Sequence, residues 1–125
     1  MSIDLSLTAL DCPEPIALAN FYAALLGLGV EPIGDMKPED VNWIEVMKDG
    51  VAVLGFQQVP HYEAPTWPEG PIPQQLHLDF GSDDLDKDEA HALAVGARKT
   101  DFQPGETFRV FLDPVGHPFC LVLRT

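Results

Sequence analysis

Positive charge is scarce in this sequence: 7 lysines and arginines stand against 20 aspartates and glutamates, a formal net charge of −13. A surface this negative repels phosphate backbones and anionic lipid, which argues against nucleic acid and membrane surfaces as partners. Cysteine is nearly absent. Cys12 and Cys120 stand alone, outside any Cys-x-x-Cys pair, so there is no disulfide framework and both are expected as free thiols. No apolar run approaches the roughly 18 residues of a membrane span. P-loop, Gly-x-Gly-x-x-Gly and nucleophile-elbow motifs are also missing, which removes the enzyme classes built on them. Met1-Ser2-Ile3-Asp4 is not a basic region leading into an apolar stretch, and a cytoplasmic location is expected.

What is present suits one domain of 125 residues, a length that supports a real core. Two stretches look alike. Leu5–Leu10 is followed by Pro13-Glu14-Pro15 and an apolar-periodic run ending at Gly27. Gln75–Phe80 is followed by Asp83-Asp84-Leu85-Asp86 and a periodic run ending at Gly96. Each reads as strand, turn, helix and glycine stop. Pro15 suits a first helical turn, and the aspartates at the start of the second helix suit its positive dipole end. Strand-like runs follow at Gly29–Ile33, Asn42–Met47 and Val51–Gln57, and again at Ala97–Phe102, Phe108–Leu112 and His117–Leu123. Lys48-Asp49-Gly50 and Asp113-Pro114-Val115-Gly116 mark the hairpins. The pattern predicts an α+β fold of two βαβββ modules, forming a curved mixed-sheet cup with the helices on its outer face. Module 1 spans about 3–59 and module 2 about 74–125. The connector at 60–73 carries five prolines and is expected to be irregular but ordered, anchored by Tyr62 and Trp67.

The run Ala19-Asn-Phe-Tyr-Ala-Ala-Leu-Leu-Gly27, the run Leu76-His-Leu-Asp-Phe80 with Asp83-Asp-Leu-Asp86, and the run Phe111-Leu-Asp-Pro-Val-Gly-His-Pro-Phe119 together resemble the glyoxalase/bleomycin-resistance/extradiol-dioxygenase group, the vicinal-oxygen-chelate superfamily. The connector and the closing Gly-His-Pro-Phe-Cys resemble its small actinobacterial glyoxalase-like single-domain proteins. The resemblance implies a site in the cup and a homodimer. It also implies that catalytic branches hold a metal through His or Gln, Glu, His and Glu. Carried over one at a time, those positions fall on Leu7, on Gly55 (or Gln57 if the register slips by two), on His77 and on Cys120. Only His77 matches, so neither metal nor cofactor is expected.

Strand alternation then sorts the side chains. Gln75, His77 and Asp79 are expected to point into the cup, as are Trp43, Glu45 and Met47, and Cys120, Val122 and Arg124. Val110 and Leu112 are read as core, which turns Arg109 and Phe111 toward the cup. The candidate ligand site is therefore Trp43, Gln57, His77, Arg109 and Phe111. His77 offers a pH-sensitive contact and is the best catalytic candidate, while Arg109 offers an anion grip or an internal ion pair with Asp79 or Glu45. Cys120 reads as a buried, inert thiol. His61 and His117 lie beside prolines and read as loop residues. The expected function is binding of a small organic molecule without a metal. The alternative is a lyase or isomerase using His77 as acid/base.

Overall fold

The computed structural model describes residues 2–124. The chain divides into two compact units, with the break between Tyr62 and Glu63. The first unit contains β1 (Thr8–Cys12), α1 (Pro15–Leu26), β2 (Gly29–Val30), β3 (Trp43–Lys48) and β4 (Val51–Gln58). The second contains β5 (Leu78–Ser82), α2 (Leu85–Ala94), β6 (Arg98–Lys99), β7 (Phe108–Leu112) and β8 (Pro118–Leu123). The sheet orders are β1-β4-β3-β2 and β5-β8-β7-β6, each with one parallel pair and otherwise antiparallel neighbours. The two βαβββ modules and the α+β class read from the sequence are the ones observed.

In the first module, α1 begins with Pro15 at its first position and ends on Gly27, whose φ of 67° closes the helix with an N–H bond to Ala23 O. A left-handed residue there favours glycine, because any Cβ would crowd the backbone. Pro15, Leu18, Ala19 and Tyr22 are buried at helical spacing. Tyr22 stacks on Phe56 of β4 with ring centroids 5.7 Å apart, and Phe21 meets Tyr22 edge-on at 4.9 Å. Leu10, Ile44, Val46 and Leu54 complete this core. The β3–β4 hairpin turns through Asp49 and Gly50, both at positive φ (51° and 79°), as a tight two-residue turn requires.

The second module is assembled differently. The first turn of α2 is capped by Asp84, which accepts from Lys87 N at 3.1 Å, and the Ser82 hydroxyl donates to Asp88. Only Leu85 and Ala92 of this helix are buried. The aromatic core is Phe80, Phe119 and Phe111, with Phe119 stacked on Phe111 at 5.6 Å. Asp113, fully buried, accepts the N–H groups of Val115 (2.9 Å) and His117 (3.0 Å) and so holds the β7–β8 turn. Both Thr66–Ile72 backbone and side-chain hydrogen bonds order the proline-rich stretch, and Trp67 lies 5.8 Å from Phe102, so most of that stretch packs on its own module.

Two strands start later than the sequence suggests. β1 begins at Thr8 and β5 at Leu78. His77 therefore lies at the mouth of β5 and not within it.

Candidate functional site

Pairing fixes which side chains share a face. In the second sheet Phe80 and Ser82 point to the α2 side, since Ser82 bonds Asp88 of that helix. Two-residue alternation puts Asp79, and His77 just before the strand, on the opposite, open face. Asp79 pairs with Cys120, and Cys120 pairs with Val110. An imidazole, a carboxylate and a thiol thus converge. His77 Nε2 lies 3.2 Å from Asp79 Oδ1, and the ligating atoms of His77, Asp79 and Cys120 all fall within 4.8 Å of one another. The His77 and Asp79 side chains are 44% and 58% exposed, whereas Cys120 is only 7% exposed.

Burial pushes the Cys120 thiol up to about 11, helped by the negative charge of Asp79 and by the thiol's hydrogen bond to that carboxylate. At neutral pH the sulfur keeps its proton. It is a donor to Asp79 and not a nucleophile, as an inert buried thiol should be.

Arg109 and Phe111 face the other way. Arg109 pairs with Leu121 and Phe111 with Phe119, so both share the α2 side with Phe80. Arg109 Nη2 donates to Asp86 Oδ1 at 2.8 Å and Nη1 to Glu89 Oε1 at 3.2 Å. The bond to Asp86 is the largest influence on its pKa and raises it. Lys99 Nζ reaches the same Glu89 oxygen at 3.0 Å. The expected internal ion pair exists, but with acids of α2 and not with Asp79 or Glu45. The expected placement of Arg109 and Phe111 on the open face is corrected. Aliphatic Val110 and Leu112 were read as the helix side, yet β7 is buried on both faces, with Val110 at 3% exposure and Phe111 at 0%. An alternation argument has nothing to separate there.

In the first module, Trp43 and Gln57 are cross-strand partners on the open face, as expected. The Trp43 indole N–H donates to Glu45 Oε2 at 3.1 Å. Its ring lies over Gly55, where an added Cβ would collide with it and crowd Leu7. Asp79 faces the open side as the sequence reading expected, but its partner there is His77 and not Arg109. The signal was there: His-x-Asp alternation brings both side chains to one face, and the pairing with β8 adds Cys120.

A family model described as a glyoxalase-like domain matches residues 8–122. No curated protein matches the chain by sequence. Solved structures do match in fold. A glyoxalase/bleomycin resistance protein/dioxygenase family enzyme from Burkholderia phytofirmans PsJN has TM-score 0.68 and 18% identity, covering 97% of this chain and 98% of its own. The fosfomycin resistance protein FosX from Mesorhizobium loti has TM-score 0.69 and 15% identity, covering 100% and 94%. A variant of FosX from Listeria monocytogenes, complexed with Mn(II) and 1S,2S-dihydroxypropylphosphonic acid, has TM-score 0.69 and 15% identity, covering 100% and 95%.

Proposed function

Because the chain belongs to the glyoxalase-like domain family, within the glyoxalase/bleomycin resistance/dioxygenase (vicinal oxygen chelate) superfamily, we propose that it binds a small organic molecule directly on the open face of its second sheet, with His77 and Asp79 as the polar contacts. One observation carries this reading: an imidazole, a carboxylate and a protonated thiol converge beside Val110, with Val122 two residues beyond Cys120 on the same face. Small-molecule sites have this make-up, apolar walls with a few convergent polar groups.

The Listeria relative was solved with Mn(II). Hard ions of that kind favour carboxylate, carbonyl and water oxygens. Here one carboxylate, Asp79, stands with a thiol that retains its proton. The residues do not fit a resident hard ion, so the organic ligand meets His77 and Asp79 without one. Thermal-shift screening of neutral and anionic metabolites supplies the ligand, and amide NMR shifts then locate it. Shifts are expected to centre on residues 77–79 and 118–122, and to weaken in His77→Ala. Shifts confined to residues outside the second module would sink the assignment.

A second reading has its own support. The 3.2 Å separation of His77 Nε2 from Asp79 Oδ1 is the arrangement in which a carboxylate orients an imidazole for proton transfer. On this reading the chain is a lyase or isomerase of the superfamily with His77 as acid/base. Turnover that His77→Gln abolishes without loss of ligand binding would select this reading over simple binding.

A further inference from the structure

We propose that Arg124 is an anion anchor on the open face of the second sheet, so that the molecule bound there is a small organic acid. The inference rests on the reading above that this face binds an organic molecule. It adds the charge of that molecule and the direction in which it lies.

Register puts Arg124 on that face. Gly81 stands opposite Val122, two residues beyond the Asp79–Cys120 pair. The Arg124 backbone N–H donates to Ser82 O at 2.9 Å, which carries the ladder one residue past β8. Steps of two residues, from Asp79 to Gly81 and from Cys120 through Val122 to Arg124, therefore share one side. The side chain follows the backbone. A Cβ added at Gly81 would lie 2.8 Å from Arg124 Nε, 3.0 Å from Nη2 and 3.1 Å from Cζ, so the guanidinium lies across the bare backbone of Gly81. Gly81 lacks the positive φ of Gly27 or Gly116, so its conformation does not call for glycine. A glycine inside a strand weakens the strand and marks a close approach, and here the approaching group is the guanidinium.

The face is graded from one end to the other. The His77–Asp79 pair stands at one end. Apolar Val110 and the Phe108–Val122 pair fill the middle, and Arg124 stands at the far end. A strand advances ~3.3 Å per residue, which sets Asp79 ~7 Å and His77 ~13 Å from Gly81. A molecule with a carboxylate at one end, an apolar body and a hydroxyl or amine at the other matches this order. Charge fixes its direction, since an acid placed at the other end would meet the Asp79 carboxylate. The guanidinium fork can give such an oxyanion two parallel N–H bonds. Arg124 Nη1 now pairs with Asp83 Oδ1 at 3.0 Å, and both side chains are well exposed. An exposed pair of this kind contributes little, so an incoming acid displaces Asp83. The field of a chain with net charge −13 repels anions, and a cation fixed on the face is what admits one.

Two acids and their neutral methyl esters test this by amide NMR titration: the rigid 4-hydroxyphenylacetate and the flexible 6-hydroxyhexanoate. At least one acid is expected to shift amides at 80–82 and 122–124 and to bind at least about tenfold more tightly than its ester. Arg124→Gln should erase that preference and leave ester binding and the melting temperature unchanged. Arg124→Lys, which keeps the charge but not the fork, should retain only part of it. Gly81→Ala, which pushes the guanidinium off the face, should behave like Arg124→Gln. Asp83→Asn should tighten the acid about two- to fivefold, because it frees the anchor from an exposed ion pair. An arginine that served only that pair would give no gain. Arg98→Gln alters an arginine on the same face but two strands from β8, and it should change nothing. Equal binding of acid and ester at 77–81 and 120–124, unaltered acid binding in Arg124→Gln, or no shift from either acid at millimolar concentration overturns the anchor and leaves the organic-ligand reading to its own screen. Acid-induced shifts confined to the first module overturn both.

Discussion

Ala9 stands opposite Gly55 in the first module as Asp79 stands opposite Cys120 in the second. The shared register extends this equivalence: Leu7 corresponds to His77, Glu45 to Val110, and Trp43 to Phe108. In the first module the three inner positions are Leu7, Ala9 and Gly55, and the Trp43 ring lies over Gly55. In the second the same positions hold an imidazole, a carboxylate and a thiol. The helices differ in the opposite sense. α1 is docked by a stack of aromatic rings, whereas α2 carries Asp86 and Glu89 to meet Arg109. The backbone ladder is common to both, so neither pattern of side chains is needed for the topology. Polar chemistry is concentrated on the open face of the second sheet and apolar docking on the helix face of the first.

The largest expected effect breaks the first half of that contrast. Phe56→Ala removes the ring on which Tyr22 stacks in a fully buried site. It should lower unfolding free energy by roughly 3–5 kcal/mol, the usual cost of a large aromatic-to-alanine cavity. Urea denaturation followed by circular dichroism measures it. A loss below about 1 kcal/mol would mean that α1 is not held by this stack.

Next comes the thiol. The folded chain holds the Cys120 proton up to about 11 against an ordinary 9.0, so the folded form binds that proton more tightly than the unfolded form. The associated stability is fully present below about pH 9 and is lost as pH rises toward about 11. The two-unit difference corresponds to on the order of 2–3 kcal/mol. Lysines and tyrosines titrate in the same window, so the readout is a difference. The alkaline fall in stability should be shallower in Cys120→Ser than in the wild-type chain. Parallel pH profiles for the two proteins would show that the thiol is not held as described.

Much of this architecture was legible because turns carry strong local chemistry. Pro15, Gly27, Asp49-Gly50 and Asp113 through Gly116 mark element ends with residues whose backbone or side-chain preferences leave few alternatives. Strand starts were less legible. Ile3 and Leu5 alternate as a strand would, yet both are exposed and unpaired by strand ladders, so hydrophobic rhythm alone overextended β1. The open-face placement of Trp43, Gln57, His77 and Asp79 followed from alternation, because one face of those strands is plainly apolar. β7 has apolar residues on both faces, and there alternation failed. The Asp86 and Glu89 pair, three residues apart on α2, was the available clue, since it builds an acidic face for a basic partner on the sheet below.

The smallest expected effect tests how α2 is docked. Arg109 bonds two acids of unequal standing: Asp86 is 89% exposed, and Glu89 is 22% exposed. Solvent and salt weaken the shorter bond to exposed Asp86 more than the bond to Glu89, so the two together contribute only modestly. Arg109→Gln keeps the stem's packing and a polar end but removes the charge, leaving Glu89 to Lys99 alone. The expected loss is about 0.5–1 kcal/mol at low ionic strength, shrinking toward zero in 1 M salt, where the Debye length is about 3 Å. Phe56→Ala, acting through apolar burial, should show no such shrinkage, so the pair of variants separates the two modes of docking in one set of melts. The same arginine was a candidate anion grip. If Arg109→Gln leaves stability unchanged at low salt yet abolishes binding of an anionic ligand, the helix-facing ion pair is not its role in solution, and the contrast between the two helices fails with it.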